Sequence, residues 1–269
     1  MIALESLTCR YEGRNREEGD ENGTDENGVD DVGTVAVDDV TLTVPDGEFL
    51  VVAGANGSGK TTLVRTFNGL VRPDTGTVSV NGTPVDEDLV AARAAIGMVF
   101  QEPRDQLVSA TVGGDVAFGP ENLGCSRAEI DRRVSAALDA VNMVGREDDR
   151  IAALSGGERE RVAIAGALAM EPDHLVCDEP FAGLDDPARE SVLARLRVLH
   201  REGTGVVVVT HDLRDVVGLA DRVVGLADGR VVVDGSPGAT LPDLAALGVR
   251  IPETCDTDAG GEAGRSTDP

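Results

Sequence analysis

The chain contains a single lysine, Lys60, and it stands in Gly54-Ala55-Asn56-Gly57-Ser58-Gly59-Lys60-Thr61, the spacing of a phosphate-binding loop. Arginine supplies every other fixed side-chain cation, so position 60 calls for a compact ammonium that fits between phosphates as a point charge. In such a loop, successive backbone N–H groups face a phosphate chain and the following helix adds its positive end. Lys60 then reaches the terminal phosphates, and Thr61 offers its hydroxyl to a Mg²⁺ ion bridging phosphate oxygens. A second constellation, His174-Leu175-Val176-Cys177-Asp178-Glu179, is an apolar strand ending in two acids. Asp178 suits the Mg²⁺ shell and Glu179 the water in line with a γ-phosphorus, although two acids after a strand also fit an ordinary strand end. Leu154-Ser155-Gly156-Gly157-Glu158 opens a helix and forms a second phosphate cradle. One chain cannot readily close both cradles on one nucleotide.

Strands alternating with helices must position these groups. Residues 2 to 11 and 34 to 44 read as strands, the latter with Val35, Val37, Val40, Leu42 and Val44 as its apolar face. Phe49 to Ala53 precedes the glycine loop, and a helix runs from Lys60 to a cap at Gly69. Thr77 to Val80 and Asn81-Gly82 predict a small antiparallel excursion before the strand Ile96 to Phe100. Residues 104 to 170 change to helix, with Ser126 and Glu129 forming a capping box and a second helix over 158 to 170. There follow the strand His174 to Asp178, a helix from Pro187 to Arg201, the strand Val206 to Thr210, a helix from Asp212, and a hairpin at Asp228-Gly229. The fold class is α/β, a mostly parallel sheet covered on both faces, with an antiparallel β subdomain and a helical insertion. This unit spans residues 1 to 235, and a C-terminal helix follows over 236 to 251. The stretch 12 to 33, acidic and rich in Gly and Asn, reads as a solvated loop, and 252 to 269 as a disordered acidic tail.

Composition bounds the partners. With 49 acidic and 24 basic residues, the net charge is -25, which repels nucleic acid and disfavours it as a partner. An acidic surface with one lysine suits a salt-loaded cytoplasm, where a Debye length of about 3 Å at 1 M salt screens self-repulsion. Cys9, Cys125, Cys177 and Cys255 form no C-x-x-C pair, so reduced thiols are expected rather than a zinc site or disulfides. No apolar run nears the ~18 residues of a membrane helix, and the N-terminus lacks the plan of a signal peptide. Any work at a membrane requires other subunits to span it.

The ordered set of motifs resembles the ATP-binding subunits of ABC transporters over roughly residues 2 to 235. That resemblance implies a P-loop NTPase core of RecA-like type that binds and hydrolyses ATP with Mg²⁺. It implies nucleotide contacts from Gly54, Asn56, Gly57, Ser58, Gly59, Lys60, Thr61 and Thr62, with Thr61, Asp178 and Gln101 around the metal. Glu179, His211 and Gln101 take catalytic positions, His211 at the γ-phosphate and Gln101 as the sensor that relays to the membrane partner. Ser155 and Gly157 carry the signature cradle, and Asp185 of Ala182-Gly183-Leu184-Asp185 lies on the loop that crosses to a facing subunit. In the family the cradle of one subunit covers ATP on the loop of another, which implies a head-to-tail dimer. Tyr11, the only tyrosine, matches an aromatic stacked on adenine. In isolation Tyr11 also fits a strand residue, and His211 an ordinary buried histidine.

Two residues depart from the family pattern: Glu158 replaces the glutamine after the signature glycines, and Phe181 a small hydroxyl residue. Residues 101 to 120 and 161 to 170 look like those of energy-coupling factor importers, which take up cobalt, nickel or vitamins into prokaryotes. This implies a second ATPase subunit, a transmembrane coupling subunit, a membrane substrate-binding subunit and a peripheral position on the cytoplasmic side of the cell membrane. Residues 101 to 119, with Asp105, Gln106 and Phe118, are the expected docking face, although a surface loop and helix packed on the core would read similarly. The alternative is a soluble ABC-type ATPase of DNA repair or translation, which typically carries a coiled-coil insertion or two fused motors. A nucleotide switch without sustained hydrolysis is disfavoured by Glu179 and His211.

Overall fold

The computed structural model describes residues 1–11 and 33–252. The acidic 12–33 stretch, apart from Gly33, and the 252–269 tail, apart from Pro252, lie outside them. In chain order the strands are β1 (Ile2–Tyr11), β2 (Thr34–Val44), β3 (Phe49–Ala53), β4 (Thr75–Val80), β5 (Thr83–Pro84), β6 (Ile96–Val99), β7 (His174–Asp178), β8 (Gly205–Thr210), β9 (Arg222–Ala227) and β10 (Arg230–Gly235). The helices are α1 (Lys60–Thr66), α2 (Leu89–Ala95), α3 (Pro103–Gln106), α4 (Val112–Asn122), α5 (Arg127–Ala140), α6 (Gly156–Ala169), α7 (Asp186–Arg201) and α8 (Pro237–Ala246).

Strands β3, β7 and β8 are buried at every residue, the pattern of a parallel sheet covered on both faces. They form the middle of a six-stranded sheet ordered β10-β9-β3-β8-β7-β6, parallel except for the β9–β10 hairpin. Side chains alternate across it. Phe49, Val51 and Ala53 pack with apolar residues of α4, α6 and α7, whereas Leu50 and Val52 pack with α1 and a four-stranded antiparallel sheet ordered β2-β1-β4-β5. Because β3 and β7 are parallel members of one sheet, the loop after β3 and the acids ending β7 emerge at the same edge.

The structure corrects several boundaries. No α-helix starts at Asp212; the segment turns through a 3₁₀ stretch, Val217–Leu219, and Leu213 N–H donates to the Arg250 carbonyl instead of to a helical partner. Helix α1 ends at Thr66, before Gly69, and the C-terminal helix occupies Pro237–Ala246 rather than all of 236 to 251. Helix α2 was not expected from the sequence; Asp88 caps it by accepting from Ala91 N–H. Val35 is exposed because it lies opposite Arg10 at the outer end of the ladder, and a left-handed residue, Asp39, resets the inward face between Val37 and Val40. The capping box at Ser126 is only half built. Ser126 Oγ accepts from Glu129 N–H, but the Glu129 carboxylate turns to Arg132 and Arg133.

Helix α6 packs on α4, α5 and β6, and it buries Glu160 to 4% exposure with Oε1 unpartnered among the described residues. Burial, reinforced by Glu102, pushes the Glu160 pKa from 4.5 up to about 8. The folded chain thus keeps a proton that the unfolded chain releases, so this group's contribution is complete below 4.5 and is lost as pH rises to about 8. Glu160→Gln should flatten the decline in unfolding free energy across that window. Urea titrations at stepped pH would show the loss of a slope of up to about 1.4 kcal/mol per pH unit.

Candidate active site

The loop between β3 and α1 is wedged against neighbouring backbone. A Cβ at Gly59, whose φ is 98°, would strike the Ala36 carbonyl of β2, so no other residue fits this left-handed, close-packed position. The β9–β10 turn braces the loop from the other side, with Gly229 N–H donating to Ser58 O at 3.1 Å and Asp38 N–H to Gly229 O at 2.9 Å. The result is a cleft of about 450 Å³ lined by Tyr11, residues 56 to 62, Gln101, Glu179 and His211.

Lys60 is 6% exposed, and its Nζ donates to the carbonyls of Gly54 and Ala55, both at 2.8 Å. Burial lowers its pKa, while the charges of Glu179 and Asp178 oppose that shift. Thr61 Oγ1 donates to Asp178 Oδ1 at 3.2 Å, and the other carboxylate oxygen, Oδ2, is buried without a partner among the described residues. Burial also raises the Asp178 pKa, the largest cause, against the hydrogen bond from Thr61. An orphaned carboxylate oxygen beside a hydroxyl fits Mg²⁺, which keeps much of its shell from water and phosphate and needs few protein ligands.

Glu179 holds a left-handed backbone, φ 50°, an unusual state for a side-chain-bearing residue. Three donors fix its carboxylate: Thr210 Oγ1 at 3.0 Å on Oε2, and His211 N–H at 3.1 Å and Nδ1 at 2.8 Å on Oε1. The latter requires the proton on Nδ1. Sequence reading missed Thr210; its place as the last residue of β8, beside His211, was the available signal. Ala36 and Ala182 also line the cleft without having been expected there. Tyr11 is 48% exposed, with its hydroxyl 3.1 Å from Thr62 Oγ1, so its ring forms the outer wall.

Ser155, Gly157 and Asp185 do not line this cleft. Ser155 caps α6, with its Oγ 3.3 Å from Glu158 N, and Glu158 Oε2 accepts from Ser155 N–H at 2.7 Å, a complete capping box. A side chain at Gly157 would collide with Ala188, and Asp185 caps α7 through Ala188 N–H at 2.9 Å. These three residues therefore make a separate surface where α6 and α7 begin. Phe181 packs half-buried on the core.

The model of the ABC transporter family matches residues 37–182, more than half of the chain. The chain belongs to the ABC transporter ATP-binding family. Its members hydrolyse ATP to power transport. A Halobacterium salinarum protein named as an ABC transporter ATP-binding protein is 68% identical over 81% of this chain and 94% of its own. The energy-coupling factor transporter ATP-binding protein EcfA2 of Symbiobacterium thermophilum is 46% identical over 81% of this chain and 78% of its own. Among solved structures, CbiO1 of Clostridium perfringens, part of the transporter complex CbiONQ, superposes with a TM-score of 0.75 at 33% identity, covering 90% of each chain. A cassette solved as a dimer in a post-hydrolysis state with ADP and Pi gives a TM-score of 0.73 at 28% identity, covering 88% of this chain and 99% of its own.

Lys60→Ala should weaken Mg·ATP binding by roughly 2–3 kcal/mol, about a hundredfold, because one charge-assisted phosphate contact is lost. Isothermal titration would read this directly, and unchanged affinity would remove Lys60 from the phosphate site.

Proposed function

We propose that this chain is the ATP-binding subunit of an importer of the energy-coupling factor type, driving uptake of cobalt, nickel or a vitamin. The single observation that supports the coupled two-chain reading is the separation of the site into two surfaces. One holds Lys60, Asp178 and Glu179 around an open cleft, and the other presents the capped start of α6 with Ser155 and Gly157. A second ATPase subunit, identical or related, brings the missing surface to each cleft; the chain is similar to a cassette solved as a dimer with ADP and Pi.

In the assembled site, the loop amides and Lys60 bind the β- and γ-phosphates while Tyr11 stacks on the base. Thr61, Asp178 and Gln101 would hold Mg²⁺, which would neutralise charge on the phosphate oxygens. Glu179, fixed by Thr210 and His211, orients the attacking water and accepts its proton. Gln101 and the segment after it carry the state of the cleft to the membrane partner, with residues 1 to 235 as motor and 104 to 170 as its lever.

The docking face needs one revision. Gln106 is not available to a partner: its Nε2 donates to Met98 O at 3.0 Å and its Oε1 accepts from Phe100 N–H at 3.2 Å, closing the free edge of β6. The apolar groups left outward there are Val108, 62% exposed, and Phe118, 50% exposed, on a groove of about 340 Å³ between β6, α4 and α6. No helix among the described residues is long and apolar enough to cross a membrane. In this reading a transmembrane coupling subunit seated in the groove supplies the attachment, and a membrane substrate-binding subunit supplies solute specificity. The chain then sits peripherally on the cytoplasmic side of the membrane.

Tagged chain purified from detergent-solubilised membranes of its host should bring down its membrane subunits. Phe118→Asp and Val108→Asp should each cut that recovery by about tenfold, the effect of losing an apolar anchor. Equal recovery with both variants would remove this face from the docking reading.

A further inference from the structure

Glu158 stands where the family pattern has glutamine, which puts a carboxylate in the first turn of the helix that faces a partner's triphosphate. The structure shows what offsets it. Arg146, on the loop between α5 and α6, donates through Nη1 to Glu158 Oε1 at 2.5 Å and through Nε to Asp149 Oδ2 at 2.6 Å. The same Glu158 uses its other oxygen, Oε2, to accept from Ser155 N–H at 2.7 Å. The arginine thus touches one end of a carboxylate whose other end orients the signature serine.

We propose that Arg146 is a positioning residue for ATP hydrolysis in the facing subunit. It cancels the charge of Glu158 and pins that carboxylate in the capping geometry, so that Ser155 and the α6 amides meet the partner's phosphates. With Arg146 the group Arg146, Glu158 and Asp149 carries one net negative charge; without it, two. A bare carboxylate within one helical turn of the cradle would repel a triphosphate and would be free to leave the Ser155 amide. Glutamine at position 158 caps equally well without charge, so it removes the need for the arginine. Both side chains are partly exposed, at 34% and 24%, so solvent and salt screen the pair in part.

This inference rests on the two-chain reading of the site, and a double-mutant cycle on the full chain separates the two. ATP hydrolysis is followed against ATP concentration. Arg146→Met should raise the half-saturating ATP concentration by about tenfold while kcat changes by less than about twofold, because closure rather than chemistry is impaired. Arg146→Lys, which keeps the charge and loses the fork, should fall between. In the Glu158→Gln background, Arg146→Met should add less than about a twofold change. A wild-type saturation curve for Arg146→Met, or the same loss with and without Glu158→Gln, would overturn the proposal and leave the two-chain site standing. Full hydrolysis by Ser155→Arg would overturn the two-chain site and this inference with it.

Discussion

The site depends on keeping one ammonium dehydrated yet charged. Lys60 is almost fully buried, and burial alone would favour its neutral form. The Gly54 and Ala55 carbonyls accept hydrogen bonds from it, and Asp178 and Glu179 supply the opposing charge. That balance explains the architecture around it. The loop must be free of a side chain where it passes β2, hence glycine at position 59 against the Ala36 carbonyl. The two acids must emerge beside it, which parallel pairing of β3, β8 and β7 ensures. In the proposed site, a triphosphate entering the cleft would replace the carbonyls as the partner of Nζ, trading neutral acceptors for charged ones.

Much of this was legible in the sequence because the chemistry is local. The loop, its strand and its helix are contiguous, so spacing alone located Lys60 and Thr61. The buried apolar runs of β3, β7 and β8 announced a covered parallel sheet. What escaped was set by contacts distant in sequence. Thr210 matters only because β8 lies beside β7, and Gln106 reads as a surface polar residue until the free edge of β6 is seen to need its amide. At Asp212 a polar start suggested a helix, but the segment is tied to Arg250 instead. The Ser126 box failed for a similar reason: two arginines one turn further along compete for the Glu129 carboxylate, whereas at Ser155 the competing arginine binds the opposite oxygen of Glu158.

The separation of the cleft from the α6 start gives the extreme acidity of this chain a mechanical consequence. In the proposed two-chain site, a subunit carrying a net charge of -25 would close against its partner around anionic nucleotides. Unscreened, that approach is repulsive, and concentrated salt shortens the reach of the repulsion to about the size of an ion pair. Closure is then left to short-range contacts, namely helix amides, hydroxyls and the few cations placed near the phosphates. Using the only lysine at position 60 fits this economy of positive charge, because only there is a small ammonium required.

The central claim is that the cleft is half of an active site. Its most direct test is the mass of the Glu179→Gln chain, measured by size-exclusion chromatography with light scattering, with and without saturating Mg·ATP. The account predicts a monomer alone and a dimer with ATP, retaining one nucleotide per chain. A Glu179→Gln chain that binds ATP fully and stays monomeric, both alone and mixed with any ATPase subunit that co-purifies with it, would contradict it.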